Sequence, residues 1–205
     1  MDDIRDSISI LRRQNFESRY YIPERALYHV MTDDVVRNSL KAMASLEVYE
    51  SNELIRIVCG GARKVLAILI LIGHVEYIKQ FIEADQFQPS RLDHRLPFEL
   101  LWLENRLKRP RAKLFYETQW EFTSPVFSES VLRRKFDDHT ILPFTHENYI
   151  GKGGFGMVYE IEIDAEQSMY SEALPKVSER EEFEEEVTKF VPDSTQRIDA
   201  PFKRL

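Results

Sequence analysis

Between Ile150 and Val158 the chain reads Ile-Gly-Lys-Gly-Gly-Phe-Gly-Met-Val, with glycines at 151, 153, 154 and 156. Backbone N–H groups approach phosphate oxygens closely only where no Cβ intrudes, so Gly151, Gly153 and Gly156 allow a turn to lie over phosphates. Lys152 and Gly154 complete that turn, and Phe155 at its tip would shield the phosphates from water. Val158 presents an apolar surface to an adenine ring, and the apolar Ile150 precedes the first glycine. A β-hairpin whose glycines serve turn geometry alone is the competing explanation.

Glycine-rich turns with this spelling occur in several nucleotide folds, and the flanking residues separate them. In a dinucleotide-binding unit the third glycine opens a helix. Here Met157, Tyr159, Ile161 and Ile163 alternate with Val158, Glu160, Glu162 and Asp164, the two-residue period of a strand. A phosphate loop of the Walker type ends in Gly-Lys-Ser/Thr, whereas this one ends in Gly156-Met157. Strand, glycine turn and strand is the arrangement left.

These residues resemble the opening of the N-terminal lobe of eukaryotic-type protein kinases, over about residues 145 to 190. The whole order, a helical region ending in QWEFTSPVF and DDHTILPF and then the glycine turn, is similar to that of kinase-domain proteins of filamentous fungi. The resemblance implies an α+β fold, with a mainly helical region over 1–140 and an incomplete kinase N-lobe over 141–205, a glycine-rich hairpin plus one helix. It implies ATP as the ligand and serine/threonine phosphorylation as the family's activity. It also implies a lysine on a third strand for the α- and β-phosphates, and a helix whose glutamate pairs with that lysine. Ser178 to Phe190, SEREEFEEEVTKF, has a serine cap, acidic first turns and Phe183, Val187 and Phe190 at helical spacing, so Glu186 is the candidate glutamate. Lys176 in EALPKV follows the glycine turn at a suitable distance but beside Pro175; Lys203 in APFKRL has better wording and follows the helix.

The catalytic loop of the HRD type and the DFG aspartate that binds magnesium are not in the sequence, and Asp93-His94-Arg95-Leu96 precedes the glycine turn. Positioning and charge neutralisation both need those groups, so the chain is expected to be a truncated kinase-domain protein without phosphoryl-transfer activity of its own. The alternative is an interaction protein whose helical region binds a protein partner and whose C-terminal segment is a vestige.

Helices must carry the region before this hairpin. Ile4, Ile8 and Leu11, and later Val75, Ile78, Phe81 and Ile82, recur at helical spacing. Pro23 suits a first helical turn, Thr32 or Asp33 can cap DVVRNSLKAMASL, and Ser51 or Asn52 can cap NELIRIV. Gly60-Gly61 and Gly73 are stop signals, and Ala62 to Ile72, apolar nearly all round, is expected at the centre of the bundle. Gln86 to Pro97 reads as a loop, RLKRPRAK as a solvated connection between helices, and the aromatics of LFYETQWEFTSPVF as core. The period changes after about residue 140, which sets the domain boundary.

Composition narrows the remaining classes. A net charge of -7 argues against a general nucleic-acid binder. The single cysteine, Cys59, forms no internal disulfide, and the five histidines show no paired metal-ligand spacing. The N-terminus lacks the wording of a signal peptide, and Val65 to Ile72 is too short to cross a bilayer. An intracellular protein, cytoplasmic or nuclear and without a membrane partner, is the expectation.

Overall fold

A computed structural model describes residues 2–42, 48–84, 89–128, 136–153, 156–169 and 196–197. The fold mixes helices with two small sheets and is α+β. Its helices are α1 (Asp2–Ile10), α2 (Glu24–Val30), α3 (Asp33–Lys41), α4 (Val48–Gly61), α5 (Arg63–Leu71), α6 (Ile78–Ala84), α7 (Leu100–Glu104) and α8 (Arg109–Gln119). The strands are β1 (Arg13–Gln14), β2 (Tyr20–Tyr21), β3 (Phe144–Gly153), β4 (Gly156–Ile163) and β5 (Gln196–Arg197). Two compact units result. The first takes Met1–Arg13, Tyr20–Ser124 and Asp138–Ile141, and the second Gln14–Arg19, Pro125–Asp137 and Leu142–Leu205.

In the first unit α5 is the centre, because every residue from Val65 to Ile70 is buried. Helices α1, α4 and α8 pack around it, and its side chains join one core with Ile8, Leu27, Leu40, Val58, Phe81 and Phe115. A helix so apolar has no polar face to carry its own caps, and both of its ends are satisfied from elsewhere. At the start, Ala62 offers no side-chain cap. Asp93, from a 3₁₀ turn almost thirty residues on, accepts from Lys64 N and Val65 N at 3.1 Å each. At the end, Gly73 N donates to Ile70 O and His74 N to Leu69 O, the paired bonds of a Schellman motif, with Gly73 at φ 75°. Arg5 Nε also donates to Ile70 O, at 3.1 Å.

The remaining helix signals resolve as follows. Thr32 is the cap of α3, accepting from Val35 N at 3.3 Å, while Asp33 pairs with Arg63. Ser51 and Asn52 do not cap α4, because the helix already runs from Val48 and carries both inside it. The basic stretch is also not a free connection throughout. Pro110 opens α8 at a first-turn position, so Arg109, Arg111 and Lys113 are helical and only Arg106 to Lys108 remain in the link. Phe115, Trp120, Phe122 and Phe127 are buried, as core aromatics. Among the described residues no helix is long and apolar enough to cross a membrane.

The second unit is built on β3 and β4, which pair antiparallel, with β5 antiparallel on the far side of β4. Its core is Phe127, Phe144 and Ile161, with Phe136, Leu142, Tyr159 and Ile163 packed on them. Backbone bonds tie the base of the hairpin down: Asp164 N donates to Pro143 O, and Phe127 N and Met169 N bond Gln167 O and Phe127 O. Asn15 joins the unit from far back in the chain. Its Nδ2 donates to Leu142 O at 3.0 Å, its Oδ1 accepts from Arg19 N at 2.9 Å, and Phe16 N donates to Phe144 O.

Candidate functional site

The register of the hairpin decides which side chains share a face. Residues directly opposite in an antiparallel pair point to the same side, and so do residues two apart on one strand. Gly151 stands opposite Val158, Asn148 opposite Glu160 and His146 opposite Glu162. These six make one face. Lys152 opposite Met157, Tyr149 opposite Tyr159, Glu147 opposite Ile161 and Phe144 opposite Ile163 make the other. Irregularities between Phe144 and His146 and between Tyr149 and Gly151 re-aim the edge strand twice, and Ile150 sits in the second.

The two faces have different chemistry. On the Tyr159 face the base is covered by Phe127 and its neighbours, while toward the tip Tyr149 and Tyr159 meet edge to face at 5.5 Å and Tyr159 Oη donates to Met157 Sδ at 3.4 Å. The Val158 face is polar along its length. Asn148 Nδ2 donates to Glu160 Oε2 at 3.3 Å, and apolar surface there is concentrated at Val158. Ile150, beside it in the bulge, is half exposed at 50%.

Gly151 is the most informative glycine. A Cβ built on it would meet nothing within 4 Å, and its φ lies outside the region that favours glycine. Neither its backbone conformation nor packing against the described residues therefore requires a glycine there. Gly73 is the contrast, since a Cβ at that position would stand 2.8 Å from the Arg5 guanidinium and its φ is positive.

The sequence-derived site residues are thus only partly brought together. Gly151 and Val158 are paired on one face, Ile150 adjoins them, and Gly153 and Gly156 close the ends of the two strands as a pair. Lys152 is placed on the opposite face, with Met157 and Tyr159. Gly154, Phe155, Lys176, Glu186 and Lys203 lie outside the described residues. The strand beside β4 is β5, with Arg197 opposite Glu160 and Gln196 opposite Ile161. Sequence reading did not single out this strand, because two residues in STQRID carry no alternation to recognise.

Elsewhere the charged groups serve structure. Burial raises the carboxyl of Asp93 above its usual range, with the amides of Lys64 and Val65 and the Lys64 charge opposing that rise. The Cys59 thiol is raised by burial first, then by its hydrogen bond to Asp33 and that residue's charge. Arg111 joins α8 to the turn before α6, donating from Nε to His74 Nε2 at 3.2 Å and from Nη1 to Tyr77 Oη at 2.5 Å. The other ring nitrogen of His74, Nδ1, faces Glu76 Oε1 at 3.2 Å. Among the described residues no three His, Cys, Asp or Glu side chains are gathered to hold a metal ion. No protein-family model, curated protein or solved structure matches the chain.

Proposed function

We propose that the hairpin of β3 and β4 is a glycine-rich nucleotide-covering loop of the protein-kinase kind, binding ATP or a related adenine nucleotide. The observation that carries this reading is that the chain continues as strand from Gly156 to Ile163. The helix that dinucleotide-binding and Walker loops place after their glycines is therefore not there. Gly151 supports it further: among the described residues nothing stands within 4 Å of a Cβ built there, so none of them requires a glycine at that position. Val158, opposite Gly151, supplies the apolar contact for the base.

Phosphoryl transfer is not part of the proposal for these residues. The 205 residues contain no HRD or DFG wording after the glycine turn, and without a catalytic aspartate and metal ligands the reaction lacks its electrostatic support. Binding is tested by titrating the whole chain with ATP and following thermal unfolding. A ligand at a hundred times its Kd stabilises the native state by about 2.7 kcal/mol. A melting temperature that stays flat up to millimolar ATP removes the proposal.

A second reading is favoured by the core of the first unit. That unit closes a hydrophobic core of its own around α5, which suits a helical interaction module whose partner is a protein. It predicts that nucleotide leaves every part of the chain unchanged.

A further inference from the structure

We infer that the outer edge of β3 is a pairing surface for a second copy of the same chain, the two β3 strands joining antiparallel about a two-fold axis between Tyr149 and Ile150. The inference does not depend on nucleotide binding. In the sheet order β3-β4-β5, β3 stands at the rim, and among the described residues no strand pairs with its outer side. An edge of this kind presents a row of backbone N–H and C=O groups to any strand that approaches. At ten residues β3 is long for an edge strand, and it contains no proline. Thr145, His146, Asn148, Tyr149, Ile150 and Lys152 are exposed along it, with Tyr149 at 53% and Ile150 at 50%. The base of the edge is occupied, because Phe16 N donates to Phe144 O; the pairing inferred here begins beyond it, at His146.

Charge and face together select the occupant. Glu147 and Lys152 lie on one face, by their pairing with Ile161 and Met157. They are about 15 Å apart along the strand, beyond reach of each other, and no ion pair joins either to a described residue. An antiparallel copy in the register that sets Glu147 opposite Lys152 supplies both partners at once. The same register sets Asn148 opposite Gly151 and His146 opposite Gly153. Opposed residues share a face, whereas residues an odd number apart lie on opposite faces of a regular strand. The bulge at Ile150 removes that conflict, because across it Glu147 and Lys152 share one face and His146, Asn148, Gly151 and Gly153 the other. Each pair therefore matches in face as well as in charge. At the axis, Tyr149 and Ile150 of one copy meet Ile150 and Tyr149 of the other, covering apolar surface that β3 alone exposes. A parallel copy in register would instead set Glu147 beside Glu147 and Lys152 beside Lys152, and like charges directly opposite destabilise. The lysine and the bulge that guard an edge against promiscuous pairing thus leave one antiparallel register open. The two-fold occupies the same edge in both chains, so assembly closes at a dimer.

Sedimentation equilibrium of the full chain, from micromolar to millimolar, tests this with Glu147→Lys, Lys152→Glu and the double exchange. Wild type should pass from monomer to dimer over that range. Each single variant should dimerise at least about tenfold more weakly, because it sets like charges opposite each other at two places. The double exchange should recover wild-type association. The most discriminating sample is an equal mixture of the two single variants. Chains with lysine at both positions then face chains with glutamate at both, and the mixture should form dimers that neither variant forms alone. That recovery also reports that both variants are folded. Wild type that stays monomeric at millimolar concentration overturns the inference, as do single variants that dimerise like wild type or a mixture no more associated than its components.

Discussion

At the scale of single residues, Arg5, Arg63, Asp93 and Arg111 bond the backbone or side chains of other elements of the first unit, and Asp93 shows the cost of doing so. Its carboxylate caps α5 through two amides and sits where burial raises its pKa. A raised native pKa means that the folded state holds the proton more tightly than the unfolded one. Asp93 therefore favours folding most at acid pH, and that contribution declines as pH rises through the usual carboxylate range to the raised native value. Asp93→Asn keeps an acceptor and removes the charge. Urea midpoints from pH 3.5 to 7 should show wild type losing ground against Asp93→Asn as pH rises; a difference that is constant or grows in the wild type's favour contradicts the assignment. Cys59 gives a second residue-scale expectation. A thiol raised by burial and by Asp33 carries little thiolate, so a disulfide reagent at pH 7.5 should label it slowly in the folded chain and rapidly in urea.

At the same scale, Gly73 and Gly151 test structural need apart from the proposed contact with nucleotide. Alanine at 151 meets no atom of the described residues within 4 Å, so Gly151→Ala should leave stability unchanged or raise it by about 0.5 kcal/mol through the unfolded chain. The same variant should weaken ATP binding, because its Cβ enters the space assigned to phosphate. Intact affinity in Gly151→Ala would remove that use of the residue. Gly73→Ala should behave the opposite way. The positive φ makes a loss of about 1–2 kcal/mol the expectation, read from chemical unfolding, while the Arg5 guanidinium at 2.8 Å, the end of a flexible side chain, has only to move aside.

At the scale of elements, α5 shows what a linear sequence discloses well. A run as apolar as Arg-Lys-Val-Leu-Ala-Ile-Leu-Ile-Leu can only be central, and its end at Gly73 is legible because glycine at that position has one main use. Its beginning was not legible, since the cap comes from Asp93 and sequence spacing says nothing about a partner nearly thirty residues away. The same limit hid Asn15, whose bonds to Leu142 and Arg19 make it part of the hairpin's base. Alternation over Met157 to Ile163 disclosed β4 and its apolar face, but the face of Lys152 followed only from the register, which the bulge at Ile150 shifts by one residue. Leu66 lies fully buried in the middle of α5. Leu66→Ala should cost about 2–5 kcal/mol, a loss that leaves the hairpin's own core untouched.

At the scale of the whole molecule, two cores of different character share one chain. The first is large and helical, joining the aliphatic side chains of α5 to rings such as Phe81 and Phe115; the second is a small cluster of Phe127, Phe144 and Ile161 on one face of an antiparallel hairpin. Stability need not be uniform across such a chain, and amide exchange reads it locally. The competing functions then make different predictions for the same measurement. If adenine nucleotide binds at the glycine turn, ATP should slow exchange of the β3 and β4 amides, Val158 to Ile161 above all, and leave those of Ile68 to Ile70 in α5 as they were. If the helical unit is the working part, ATP should alter neither set. Protection that appears in α5 and not in the hairpin would contradict the site assigned here, whatever the affinity measured in bulk.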